Sequence, residues 1–519
     1  MNFKSGFFLL LLFSLSCGSP LQDEKLSIFK YNQASGIATL DPAFAKDQAT
    51  IWVCNQLFNG LVQLNEKLEV VPSIAKNWDI SNDGLSYTFY LRDDVFFHHH
   101  EIFTQERRVV ASDFSFSFNR LKSKQLASPG AWVLANVNSY TAINDSTFNI
   151  MLKNPFPPFL DLLSMPYCSV IPKEIVENTD FRANPIGTGP FQFQYWKEGV
   201  KLVFRKNQNY FEKEEGKSLP YLDAVAITFI KDKQAAFLEF LKGDLDFISG
   251  LDASYKDEVL KRDGGLQEKY KGKINLQSEP YLNTEYLGFL MENALPIEIR
   301  QAINYGFDRK KMLKYLRNDI GTPALQGFVP KGLPSFSEEL KGYDYNLEKA
   351  KQLIAASGFD ANKEIVLSTT SSYLDLCEYI QNALFEIGLN IKIEVNPPST
   401  HRQMVATSKL SFFRGSWIAD YADAENYLAL FYSENFCPNG PNYTHFANEK
   451  FDDLYERASK ETNDSVRFLL YNKMDEIIIN QAAIVPLYYD KVLRFSHLNI
   501  SGFNSNPMNL LDLKRVKKQ

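Results

Sequence analysis

Short runs of alternating apolar and polar residues recur along this chain. Tyr87, Phe89 and Leu91 are separated by Thr88 and Tyr90, a period of two that predicts a strand with one buried face. Ile391, Ile393 and Val395 repeat the pattern around Lys392 and Glu394. Helical spacings lie between such strands. Leu347, Ala350, Leu353 and Ile354 share one face, with Asn346 placed to cap the start and Gly358 just past the end. Ile299, Ala302, Ile303 and Phe307 form another apolar face, and Asp308 starts a new turn. Strand and helix signals alternate from end to end, so the pattern predicts an α/β protein rather than a bundle or a repeat array.

The chain has 519 residues, too many for one core and enough for roughly two to four domains. No low-complexity linker separates the elements, which predicts domains that interleave, with the chain crossing between lobes more than once. Apolar residues make up 45% and charged residues 23%, a globular composition. Aromatic residues reach 14%, with 41 Phe and 26 Tyr, enough to fill cores and leave rings over for a cleft. A net charge of -6 without a sustained basic stretch excludes nucleic acid as a partner, because phosphate binding needs concentrated Lys and Arg. The only basic cluster, Lys514, Arg515, Lys517 and Lys518, reads as a solvated tail.

The first 17 residues differ from the rest. Lys4 precedes an apolar core from Gly6 to Leu15, followed by Ser16 and Cys17, which is the layout of an export signal. That core is too short to span a bilayer. A cysteine directly after it resembles the bacterial lipoprotein signal, which implies lipidation of Cys17 and a membrane anchor. Ser14 stands where that signal usually has Leu. Cys54, Cys168, Cys377 and Cys437 remain, an even number with no metal-binding spacing; both disulfides and buried free thiols fit them.

Several segments, in order and over nearly all of the remaining chain, carry a resemblance. They are Leu40-Asp41-Pro42, Leu57 to Leu61, Pro72 to Ala75 with Trp78, and the run Asp83 to Arg92. Ala111 to Phe114 with Ser117 and Arg120 follow, then Gly187 to Phe191 with Asn207, Tyr210 and Phe211. Arg300 to Tyr305 with Asp308 and Arg309, Trp417 to Tyr421, Tyr443, Asp452, and Ile484 to Leu487 complete the series. Together they resemble the bacterial extracellular solute-binding proteins of family 5, which serve oligopeptide and dipeptide ABC importers.

The resemblance implies a fold like that of type II periplasmic binding proteins: α/β, two lobes built from three interleaved domains, with a hinge. It divides the chain into a signal peptide at 1–17, domain I at 22–60, 184–283 and 487–519, domain II at 61–183, and domain III at 284–486. It implies a periplasmic, monomeric binding protein of the cell envelope without a cofactor, which passes short peptides to permease subunits. In such proteins the ligand ammonium meets the Asp after a Trp, any residue, Ala pattern, which falls on Asp420 behind Trp417, Ile418 and Ala419. Ser416, Trp417 and Ile418 correspond to the backbone partners on one side, and Lys46, Asp47 and Gln48 to those on the other. Arg414 occupies the position of an arginine that meets a peptide carboxylate.

Other chemistries compete. His98, His99, His100 and Glu101 suggest a metal, and some relatives carry nickel chelates or haem, but adjacent histidines fan apart and a solvated loop is expected. Gly187-Thr188-Gly189-Pro190 lacks the Lys and Ser/Thr of a phosphate loop and reads as a structural turn. Ser73 and Lys76 match the Ser, two residues, Lys pattern of acyl enzymes, but no Lys-Thr-Gly accompanies them, so no enzyme is expected.

Overall fold

The computed structural model describes residues 26–251, 255–360 and 363–519. The expected signal peptide and Cys17 lie outside the described residues. We number the strands that build the two main sheets. They are β1 (Ile28–Asn32), β2 (Ala75–Ile80), β3 (Ser86–Leu91), β4 (Val137–Asn144), β5 (Thr147–Leu152), β6 (Phe191–Lys197) and β7 (Lys201–Lys206). There follow β8 (Ala224–Thr228), β9 (Phe247–Ser249), β10 (Ile274–Phe289), β11 (Ile365–Thr369), β12 (Ile391–Val395), β13 (Phe412–Ile418) and β14 (Ile484–His497).

The larger sheet runs β12-β11-β13-β10-β14-β9-β1-β8-β7-β6, and the smaller runs β2-β3-β5-β4. At 16 and 14 residues, β10 and β14 are the long members, and each runs from one lobe into the other. Near Ile274 and His497 they join a core with Phe240 and Tyr270; near Phe289 and Ile484 they border the cores built on Ile303 and Tyr427. The pairing shifts register between Pro280 and Thr284, so the two connecting strands bend where the lobes meet.

The local expectations resolve in particular ways. Tyr87, Phe89 and Leu91 are all buried on β3, as alternation requires. On β12 only Ile391 is buried and Val395 is half exposed, because β12 is the sheet edge. Asn346 caps helix Leu347–Ser357 by accepting from Lys349 N, and Gly358 ends it at φ +62°. Asp308 caps the earlier helix Arg309–Leu316 by accepting from Lys310 N and Lys311 N. Two motif residues far apart in sequence, Asp41 and Arg120, meet in an ion pair at 2.5 Å.

The C-terminal basic cluster is not a solvated tail. Lys514 is buried against Glu212 and Gln63, Arg515 pairs with Glu214, and Lys518 bonds Asp246 and the Ile28 carbonyl. Carboxylates contributed from early in the chain neutralise it, which composition does not reveal.

The turn at Gly187 to Pro190 explains His98. A Cβ at Gly187 would lie 2.0 Å from the Leu57 carbonyl oxygen, and one at Gly189 2.4 Å from the Leu57 carbonyl carbon, so only glycine fits. His98 is buried rather than solvated. Gly187 N donates to its Nδ1 at 3.3 Å and its Nε2 donates to Gly189 O at 3.0 Å, which makes a neutral ring that clamps the turn. Burial lowers its pKa to about 4. Gly187→Ala is expected to cost about 3 kcal/mol in a chemical unfolding titration, because the contacted atoms are backbone and cannot swing away.

Candidate functional site: an open strand edge between the lobes

Strand β13 carries the predicted residues and has one partner for most of its length. Ala419 N donates to Leu282 O, and Leu290 N donates to Ser411 O, both at 2.9 Å. Bonding alternates along an antiparallel ladder, so Phe413, Gly415 and Trp417 exchange bonds with β10. Arg414, Ser416 and Ile418 therefore direct their backbone groups to the opposite edge. There β11 meets β13 only at Ser368 and Phe413. The Arg414 carbonyl accepts from His401 Nε2 at 2.8 Å. Beyond it, among the described residues, no strand pairs with the edge at Ser416 and Ile418, and Ile418 is 51% exposed.

Asp420 stands at the end of this edge. Its backbone N–H donates to Asn426 Oδ1 at 3.1 Å, and the same oxygen accepts from Trp417 Nε1 at 2.9 Å. Asn426 thereby fixes the strand end and the Trp417 ring, which packs edge-on to Tyr443. The Asp420 residue is solvent-exposed, yet surrounding protein raises its pKa, with the Asn426 hydrogen bond opposing the rise.

The other predicted residues lie at the start of helix Gln48–Leu57. Lys46, Asp47 and Gln48 are exposed there, and the Asp47 carboxylate is spent capping the helix, accepting from Thr50 N at 3.0 Å. Tyr167 lies within electrostatic reach of both segments. Burial pushes its hydroxyl up to about 12, and the next two causes are the charges of Asp420 and Asp47. Asp420 and Asp47 thus both lie near Tyr167 although 373 positions separate them in the chain (420 minus 47).

Arg414 is already engaged. Its guanidinium forms an ion pair with Glu285, whose side chain is only 3% exposed, and lies over the Tyr373 ring. Burial raises the Glu285 pKa while Arg414 opposes the rise. Arg414 Nε remains a buried donor without a partner among the described residues. Tyr373 also lines a cavity of about 760 Å³ shared with Arg317, Asp375, Asp490 and Lys491.

Tyr421, next to Asp420, crosses the seam between lobes. Its ring joins the first lobe's core beside Trp132 and Phe156, and its hydroxyl donates to the buried Glu425, which also accepts from Tyr455. Asp161 from the first lobe faces Asp423, Arg467 and Asp464 at this seam. Burial pushes its carboxyl up to about 8; Asp423 adds to the rise and Arg467 opposes it. The folded state holds this proton more tightly than an ordinary carboxyl at 3.8, so stability is lost as pH rises from there toward 8. Asp161→Asn is expected to raise the thermal midpoint relative to wild type at pH 9 and to change it little at pH 4.

Sequence reasoning missed Tyr167, Asn426, Glu285 and Tyr373. None has a spacing signal, because each reaches the site from a different element. The Ser73 and Lys76 pattern does not assemble an acyl-enzyme site. Ser73 is buried ahead of β2 and Lys76 is exposed on it, whereas a helical turn is what brings residues three apart to one face. All four described cysteines are free and buried, and no group of three metal-ligating side chains occurs among the described residues. No helix among the described residues is long and apolar enough to cross a membrane.

The model of the middle region of the bacterial extracellular solute-binding proteins, family 5, matches residues 69–436. The chain is 26% identical to heme-binding protein A of Haemophilus influenzae over 480 positions, covering 87% of this chain and 85% of the relative. It is 25% identical to di/tripeptide-binding protein 2 of Pseudomonas aeruginosa over 535 positions, covering 98% of each. Among solved structures, HbpA2 from Haemophilus parasuis superposes with a TM-score of 0.84 at 25% identity, covering 95% of this chain and all of that one. The periplasmic binding protein DppA from Helicobacter pylori, in complex with the peptide STSA, gives 0.74 at 25% identity, covering 95% and 98%. With its two-lobed α/β fold and a family match over most of its length, the chain belongs to the bacterial extracellular solute-binding proteins of family 5.

Proposed function

We propose that this chain is the extracytoplasmic binding component of an ABC importer and that its cargo is short peptides. The reading rests on one observation above the others: the unpaired edge at Ser416 and Ile418 ends at the Asp420 carboxylate. An extended peptide added to that edge pairs its backbone without regard to side chains. Its ammonium then meets Asp420, with Trp417 and Ala419 holding the strand end. Lys46, Asp47 and Gln48 form the facing wall, and the hinge at β10 and β14 closes the cleft. Arg414 offers a ligand carboxylate its spare Nε donor, and the neighbouring cavity leaves room for longer peptides. Domain I comprises 22–60, 184–283 and 487–519, domain II 61–183, and domain III 284–486. Lipidation at Cys17 would hold the monomer at the membrane beside its permease, since stable anchoring takes two acyl chains.

Heme-binding protein A is as similar as the peptide-binding relatives, so a porphyrin is the competing cargo. The strand edge favours a peptide, because a flat ring has no backbone to pair with it. Native mass spectrometry of the purified protein separates the two. A ladder of retained peptide masses is expected, and a single porphyrin mass would overturn the proposal.

A further inference from the structure

A second cluster lies away from the strand edge. Cys437 Sγ is 3.1 Å from Ser408 Oγ and 3.3 Å from His445 Nε2. On the far side of the ring, His445 Nδ1 lies 2.7 Å from Glu292 Oε1. His445 also stacks on Phe436, with centroids 4.6 Å apart and planes within 5°. Both Ser408 and His445 hold positive φ, +55° and +51°, a conformation non-glycine residues keep only where surroundings enforce it. Around His445, Asn442 enforces it: fully buried, it bonds the Tyr432 and Phe446 carbonyls and accepts from Phe446 N.

The partners set the tautomer of the ring. Nδ1 faces the Glu292 carboxylate, which only accepts, so Nδ1 carries the proton. Nε2 then turns its lone pair toward the Ser408 hydroxyl at 3.0 Å and the Cys437 thiol at 3.3 Å, beside the Cys437 carbonyl at 3.0 Å. The sulfur has Ser408 Oγ at 3.1 Å, His445 Nε2 and, farther off, the Val405 carbonyl at 3.8 Å as partners. Nε2 is therefore placed to take the thiol proton, and the thiolate so formed accepts from the Ser408 hydroxyl and the protonated ring.

We infer that Cys437, His445, Glu292 and Ser408 form a reactive-thiol site that small hydroperoxides modify. The thiolate attacks one oxygen of hydrogen peroxide, so that the Sγ–O bond forms as the O–O bond breaks, and sulfur gives up two electrons. The departing hydroxide takes the Nε2 proton of His445 and leaves as water. Cys437 ends as a sulfenic acid beside a neutral imidazole. At 4% exposed, Cys437 is the least buried of the four described cysteines, which suits a small oxidant better than a bulky disulfide. Cys54, Cys168 and Cys377 serve as internal controls, since burial raises the pKa of each.

The test treats the purified full chain with hydrogen peroxide, traps sulfenic acid with dimedone, and follows each cysteine by peptide mass spectrometry. Cys437 is expected to label at least about tenfold faster than the other three, because reactivity follows thiolate character. Glu292→Gln, at an exposed position, is expected to slow Cys437 severalfold. His445→Asn, which tolerates the left-handed backbone, is expected to slow it about tenfold. Labelling of Cys437 no faster than the other cysteines overturns the inference, as does an unchanged rate in both variants.

Discussion

Asp420→Asn weakens the binding of free-amine peptides by about 30-fold to several thousand-fold in calorimetry, with the fold unchanged. The range is that of removing one member of an enclosed charge pair, about 2 to 5 kcal/mol. Asparagine keeps the shape, and the backbone N–H bond to Asn426 survives, so circular dichroism and the unfolding midpoint stay where they were. Wild type loses affinity for an N-acetylated peptide by a similar factor, whereas the variant, having no charge to lose, binds both forms alike. Affinity also falls as acid protonates Asp420, whose pKa burial has already raised. Equal affinity of wild type and variant for a free-amine peptide would remove Asp420 from the binding site.

Arg414→Met costs about 3 to 5 kcal/mol of stability in guanidinium unfolding, the penalty for stripping a buried ion pair of one partner. Glu285, 3% exposed, then keeps Asn283 at 3.1 Å and a long contact from Tyr373 at 3.4 Å. Adding Glu285→Gln to Arg414→Met removes the stranded charge and recovers most of the loss. The non-additivity separates a pair from two independent contributions. If Arg414→Met proves neutral, the pair does not tie β13 to β10.

Much of this architecture was legible before any coordinates. The alternation at Tyr87 to Leu91, the caps at Asn346 and Asp308, and the serial motifs each depend on residues near one another in sequence. Local backbone geometry acts over the same short range. Asp420 is marked by a motif, and the structure adds that its charge and that of Asp47 both reach Tyr167. The expected solvated histidine loop failed at His98, because the turn it clamps lies nearly ninety positions later, at Gly187 and Gly189.

The sequence by itself determined the α/β class, the family and the place of the strand that ends at Asp420. Only the tertiary structure decided that Ser416 and Ile418 lack a strand partner, that Glu285 already engages Arg414, and that His445 sits against Cys437. Strand patterning and motifs are short-range and survive in a linear reading. Pairing, desolvation and charge partners depend on which distant segments the fold brings within a few ångströms, and no spacing along the chain encodes that.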